Sequence, residues 1–128
     1  MNEMTQSPVR FGQGESLVGM LTTPGRHGAA AVGCLMLNMG ANHRVGPRRI
    51  NVKLAHLLAA RGVSSLRLDL GGVGDSDAVD TSSDLRTRAV RDLRAAMDLI
   101  ESRPGIRQFV IVGMCSGAEH AMSAGAAD

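Results

Sequence analysis

At 128 residues, with 44% apolar and 20% charged, the chain has the profile of one globular domain and not of a disordered or fibrous segment. Its net charge is only +2, its arginines are scattered, and it has no Trp, no Tyr and two Phe, which leaves no concentrated basic, base-stacking face for nucleic acid. No apolar run approaches the roughly 20 residues that span a bilayer, residues 1–10 do not read as a secretory leader, and two cysteines make no disulfide framework, so no membrane is expected and the cytoplasm is the expected compartment.

Residues 9–11 and 16–21 are short, partly alternating runs around Gly12-Gln13-Gly14 and predict an antiparallel hairpin. Residues 24–28 are a loop by their turn residues. The near-continuous apolar run at 29–37 suits a strand buried on both faces of a parallel sheet. A loop containing Gly, Asn and Pro follows at 38–47. Ile50, Leu54, Leu57 and Leu58 then recur at helical spacing before Gly62, which predicts an amphipathic helix over about 48–61. Residues 63–70 form the next strand and end in the turn Gly71-Gly72-Val73-Gly74-Asp75-Ser76. Ser83 or Asp84 is the expected N-cap of a second long helix, marked by Leu85, Ala89, Leu93, Ala96, Met97 and Ile100. Pro104-Gly105 ends that helix, residues 109–112 are a short apolar strand, Gly113 begins a tight turn, and a last helix starts over 118–124. A hairpin followed by alternating strands and helices predicts a mostly parallel sheet. Right-handed crossovers place helices on both faces, giving a three-layer α/β/α sandwich.

The strongest chemical signal is Gly113-Met114-Cys115-Ser116-Gly117 between a strand and a helix. A nucleophile at such a corner sits in strained backbone and needs small residues two positions to each side. Gly113 and Gly117 meet that need for Cys115. Ser116 is the less favoured nucleophile, because it would put Met114 in one of the small positions. A thiolate there gains from the helix N-terminus, and the Ser116 N–H points where an oxyanion would develop. A plain turn with a buried cysteine also fits the motif alone; its place after the third parallel strand favours the catalytic reading.

The loop after the first parallel strand would supply a second oxyanion donor, Met39 or Gly40, with His43 as a substrate contact; a merely solvated loop fits these residues equally well. The glycine-rich turn at 71–76 is not a dinucleotide fingerprint, since Asp77 stands at the third glycine position and no helix opens there. It reads as a structural turn with Asp75 bonding nearby amides. His27 and His56 are expected to face solvent, and His120 follows Cys115 on the last helix. No histidine has an evident carboxylate orienter, and neither a metal nor a cofactor is called for.

Together the hairpin, the Asn38-Met39-Gly40 loop, LRLDLGGVGDSD at 66–77 and VGMCSGA at 112–118 resemble the α/β-hydrolase superfamily. More narrowly they are similar to serine-aminopeptidase-like or exosortase-associated-type hydrolases, over about residues 9–120. The resemblance implies the N-terminal part of a single α/β-hydrolase domain spanning 1–128, a truncated fold that ends just after the nucleophile elbow. Cysteine in place of the usual serine occurs in dienelactone-hydrolase-like and polyester-synthase-like relatives. It points to small-molecule acyl esters or thioesters, or to acyl transfer. The family's acid and histidine follow later strands, so no position here inherits those roles. The chain alone is therefore expected to be inactive, the rival readings being a pseudo-hydrolase that only binds and an acyltransferase. The strand ending at Val112 is expected to have an unpaired edge that invites self-association.

Overall fold

The computed structural model describes residues 4–25, 31–38, 43–46, 49–77, 84–103, 105–113 and 116–127. The elements in chain order are β1 (Thr5–Phe11), a 3-10 turn (Gln13–Glu15), β2 (Leu17–Thr23), β3 (Val32–Met36), α1 (Ile50–Ala60), β4 (Ser64–Asp69), α2 (Leu85–Glu101), β5 (Gln108–Val112) and α3 (Ser116–Ala127).

The strands pair in the order β1-β2-β4-β3-β5. The β1–β2 and β2–β4 ladders are antiparallel, and β3–β4 and β3–β5 are parallel. Among the described strands, β2 alone runs against the rest. The chain moves sideways from β3 to β4 through α1, then back past β3 to β5 through α2. Two crossovers of one hand in opposite directions put their helices on opposite faces.

The core follows that geometry. On one face Leu21, Leu35, Leu66 and Leu68 pack with Leu93, Ala96 and Ile100 of α2 and with Ala124 of α3. On the other, Cys34 and Met36 pack with Leu54, Ala55 and Leu58 of α1 and with Val112. The period-two alternation of a strand is thus visible in β3, where Leu35 faces α2 and its neighbours face α1. Gly33 shares the Leu35 face, and α2 comes so close that a Cβ there would lie 2.8 Å from Ile100 Cγ2. This is the three-layer α/β arrangement that the sequence predicts. Asp84 is the N-cap of α2, its side chain accepting from Thr87 N at 2.7 Å, and that N–H holds its carboxyl below the ordinary range.

Some boundaries and burials differ from expectation. β1 starts at Thr5, four residues early, because its outer half is held by backbone pairing to β2 while its side chains stay largely exposed and carry no apolar pattern. α3 begins at Ser116 and runs to Ala127. His56 does not simply face solvent: it is half-buried and its Nε2 is out of contact with water. β5 pairs with β3 and, among the described residues, has no strand on its outer side. Val110 in it is 51% exposed. No helix of the described residues is long and apolar enough to cross a membrane.

Candidate active site

The carboxyl ends of β3, β4 and β5 lie side by side, and the sheet order reverses direction at β3. In open α/β sheets a crevice forms at such a switch point, where neighbouring loops depart toward opposite faces. Leu37 N donates to Val112 O at 3.1 Å, which extends the β3–β5 pairing to the carboxyl end of the sheet.

A single buried carboxylate organises the loops there. Asp69, the last residue of β4, has no exposed surface. Its Oδ1 accepts from Asn38 Nδ2 at 2.9 Å and from Arg44 N at 2.8 Å. Its Oδ2 accepts from Arg44 Nη1 at 2.7 Å and from Asp75 N at 3.1 Å. Asn38 Oδ1 accepts in turn from Leu70 N at 2.7 Å. Ser76 Oγ closes the turn, donating to Asp69 O at 2.7 Å and accepting from Val18 N at 2.8 Å. The turn wraps so tightly that a Cβ on Gly74, at φ 54°, would sit 2.6 Å from the Asp69 carboxyl carbon. Only glycine fits there. Asn51, in the first turn of α1, donates to Arg44 O at 3.1 Å and fixes the far side of the loop.

Asp69, not Asp75, is therefore the residue that binds nearby amides. Asp75 is exposed and accepts from Arg44 Nη1 at 2.7 Å, with His43 Nε2 3.0 Å away. Its carboxyl is held below the ordinary range, first by the Arg44 hydrogen bond. Burial opposes the charge on Arg44, but hydrogen bonds to Asp75 and Asp69 outweigh it and raise its pKa. Arg44 Nη1 also lies 2.7 Å from His43 Nε2. A guanidinium only donates, so in that contact the ring nitrogen accepts and cannot also donate to Asp75.

The ligand atoms of His43, Asp69 and Asp75 lie within 4.8 Å of one another, the spacing of a metal site. Arg44 Nη1 already stands at 2.7 Å from each of the three groups. These residues do not fit a divalent ion, because the cation of the cluster is the arginine.

His43 is held at this end of the sheet by Arg44. Gly113 is half-buried directly after β5, and Ser116 and Gly117 open α3. Met39, Gly40 and Cys115 lie outside the described residues. The sequence reading missed Asn38, Arg44 and Asp69 as a network; the available signal was an acid at a strand end followed by a turn that repeats glycine. A cavity of about 80 Å³ on the α2 side is lined by Ser16, Gly71, Asp77, Arg88 and Asp92, with none of its walls from the loop after β3. There Asp92 Oδ2 accepts from Gly71 N at 2.8 Å.

No protein-family model and no curated protein sequence matches the chain. Solved structures share its fold. A structure of DcsB in complex with its substrate analogue aligns over 97% of this chain and 41% of its own, at TM-score 0.75 and 16% identity. A cold-adapted esterase from an Arctic intertidal metagenomic library aligns over 99% and 56%, at TM-score 0.70 and 22% identity. Est1E from Butyrivibrio proteoclasticus, bound to ferulic acid, aligns over 87% and 43%, at TM-score 0.72 and 22% identity. The chain thus spans 41–56% of the length of these three neighbours, and esterases and hydrolases are among the solved structures of like fold.

Asp69→Asn removes a buried charge from Arg44 and turns a donor toward other donors. The expected loss of stability is about 3 kcal/mol in urea unfolding, the scale of a broken buried pair; a loss below about 1 kcal/mol would mean that the carboxylate does not hold the loops. Asp92 behaves oppositely. Burial pushes its carboxyl above the ordinary range, against the pull of the Gly71 N–H. The folded state therefore resists ionisation, and the cost appears as pH rises through the folded pKa. Asp92→Asn should melt higher than the parent chain at neutral pH, with the two curves converging below about pH 4, where the unfolded carboxylate is also protonated.

Proposed function

We propose that this chain is part of a hydrolase cleaving ester or thioester bonds of small molecules, with Cys115 as its nucleophile. The observation that carries the reading is the corner. β5 runs parallel beside β3 and ends at Val112, and α3 begins at Ser116, so Cys115 falls in the sequence between that strand and that helix. This is where a strand-to-helix elbow would hold a nucleophile at the switch point. Esterases and hydrolases among the neighbours of like fold support the reaction class.

In this reading the helix N-terminus favours the thiolate. The Ser116 N–H is in the first turn of α3, without an intrahelical acceptor. It and the Met39 or Gly40 N–H donate to the oxyanion, and His43 contacts substrate. Gly113 and Gly117 give the clearance the bend needs. Sulfur attacks the carbonyl carbon as a base takes the thiol proton. The tetrahedral species expels the alkoxide or thiolate, which takes up that proton. Water then cleaves the acyl-cysteine, giving a carboxylic acid and the free thiol. The base and its acid are not among the residues assigned here, so these 128 residues alone should turn over little. An alcohol or amine in place of water would make the same chemistry acyl transfer. A cytoplasmic setting suits a reactive thiol.

Cys34 provides an internal control. It is 4% exposed, and burial pushes its thiol up to about 11. Iodoacetamide at neutral pH should alkylate Cys115 and spare Cys34, as read by peptide mass mapping. Failure to label Cys115 would sink its role as nucleophile. Hydrolysis of p-nitrophenyl acetate and butyrate should stay near background. Strong turnover abolished by Cys115→Ala would uphold the nucleophile and overturn the incompleteness.

The open side of β5 is the second proposal: it pairs with the same edge of another copy. Sedimentation should show dimers growing with concentration, and a monomer at every attainable concentration would refute it.

A further inference from the structure

Four buried side-chain polar atoms among the described residues have no hydrogen-bond partner, and three of them lie on the α1 side of the sheet: His56 Nε2, Ser65 Oγ and Arg67 Nε. Ser65 and Arg67 are two apart on β4 and share a face. Cys34 stands beside Ser65 on β3 and packs against α1, so that face is the one α1 covers. On β2, Thr22 is opposite Ser65, and on β1, Gln6 is opposite Thr22. The Arg67 side chain turns back along this row. Its Nη1 donates to Thr22 Oγ1 at 3.3 Å and its Nη2 to Gln6 Oε1 at 3.2 Å.

His56 reaches the same layer from above. The Leu54 and Leu58 flank of α1 packs with Cys34, Met36 and Val112, over β3 and β5. Val52, Ala55 and Ala59 are the buried centre of the helix. His56 lies on the other flank of that stripe at 100° per residue, hence over β4 and β2, which α1 also contacts.

The chemistry of this layer is one-sided. Arg67 is 4% exposed, and its hydrogen-bond partners among the described residues are neutral. Burial, then the like charges of Arg44 and Arg49, pull its pKa down. Arg67 Nε always donates, and Ser65 Oγ and His56 Nε2 can each present a proton. What is missing is an acceptor. A water molecule could take the hydrogen bonds, but it would bring no negative charge to Arg67, whose hydrogen-bond partners among the described residues are neutral.

We propose that the layer between α1 and β4 holds a small monovalent anion of the halide class, bonded by Arg67 Nε, Ser65 Oγ and His56 Nε2. It is a structural counter-ion, separate from the acyl chemistry assigned to the corner after β5, and it stands whether or not that assignment does. A ligand bound by the folded state alone raises stability by mass action.

The test is thermal and urea unfolding of the chain in chloride against gluconate, at constant ionic strength. A saturable, chloride-specific rise in the midpoint is expected, together with broadening of the chloride-35 resonance that bromide reverses. Both effects should vanish in Arg67→Met. Ser65→Ala removes one donor with little change in bulk, so it keeps the test open should Arg67→Met fail to fold; it should raise the half-saturating chloride concentration about tenfold, the worth of one hydrogen bond to a charge. No chloride-specific response in the parent chain overturns the proposal. So does an equal response in Arg67→Met, or an unchanged half-saturation in Ser65→Ala.

Discussion

The carboxylate of Asp69 is the point on which the carboxyl end of the sheet depends. It is fully buried and takes four hydrogen bonds, from Asn38, from the Arg44 backbone and side chain, and from Asp75 N. Those donors come from two different loops, one after β3 and one after β4. A buried carboxylate without them would be far too costly to keep, so the chain cannot fold around Asp69 without drawing both loops in. Asn38 and Arg44, which flank in sequence the positions where a second oxyanion donor is proposed, are both held by that one side chain.

Arg44 explains why this cluster is a clamp and not a metal centre. Its guanidinium supplies the positive charge that would otherwise have to come from an ion bound by His43, Asp69 and Asp75. Because Asp75 is exposed while Asp69 is not, one end of the clamp is in water and the other in the core. The gain in electrostatic strength belongs to the dry end. That end faces β3 and β4, whose carboxyl termini flank the crevice.

Apolar periodicity made most of the architecture readable. The Leu66, Leu68 and Leu70 alternation, the helical stripe from Ala89 to Ile100 and the run into β3 each matched a buried face. The polar interior was hidden for the same reason. Ser65, Arg67 and Asp69 alternate with those leucines and look like the wet side of a half-buried strand, yet all are buried because α1 covers that side. His56 was misread in the same way, as a polar residue on an amphipathic helix. Hydrophobic pattern reports which residues are driven from water; it is silent on polar groups that go inside because a partner waits there. The Gly-x-Cys-x-Gly motif was legible as sequence, with β5 before it and α3 opening within it, whereas the loop contacts of Asn38, Arg44 and Asp69 join residues 25–32 positions apart, and their one local sign is the acid at a strand end with the glycine turn after it.

The strand order also constrains how the molecule can be assembled. β2 and β3 are consecutive in sequence but do not touch as strands; β4 lies between them and bonds to both. A chain emerging from the ribosome can close the β1–β2 hairpin early, since that pairing is local. It has no sheet until residue 69 is out, because nothing earlier bridges the hairpin to β3. Both of their inner edges wait open for one arriving strand. That strand carries the buried polar layer and the clamp, so its insertion joins the hairpin to β3 and sets the loops after β3 and β4 in a single event.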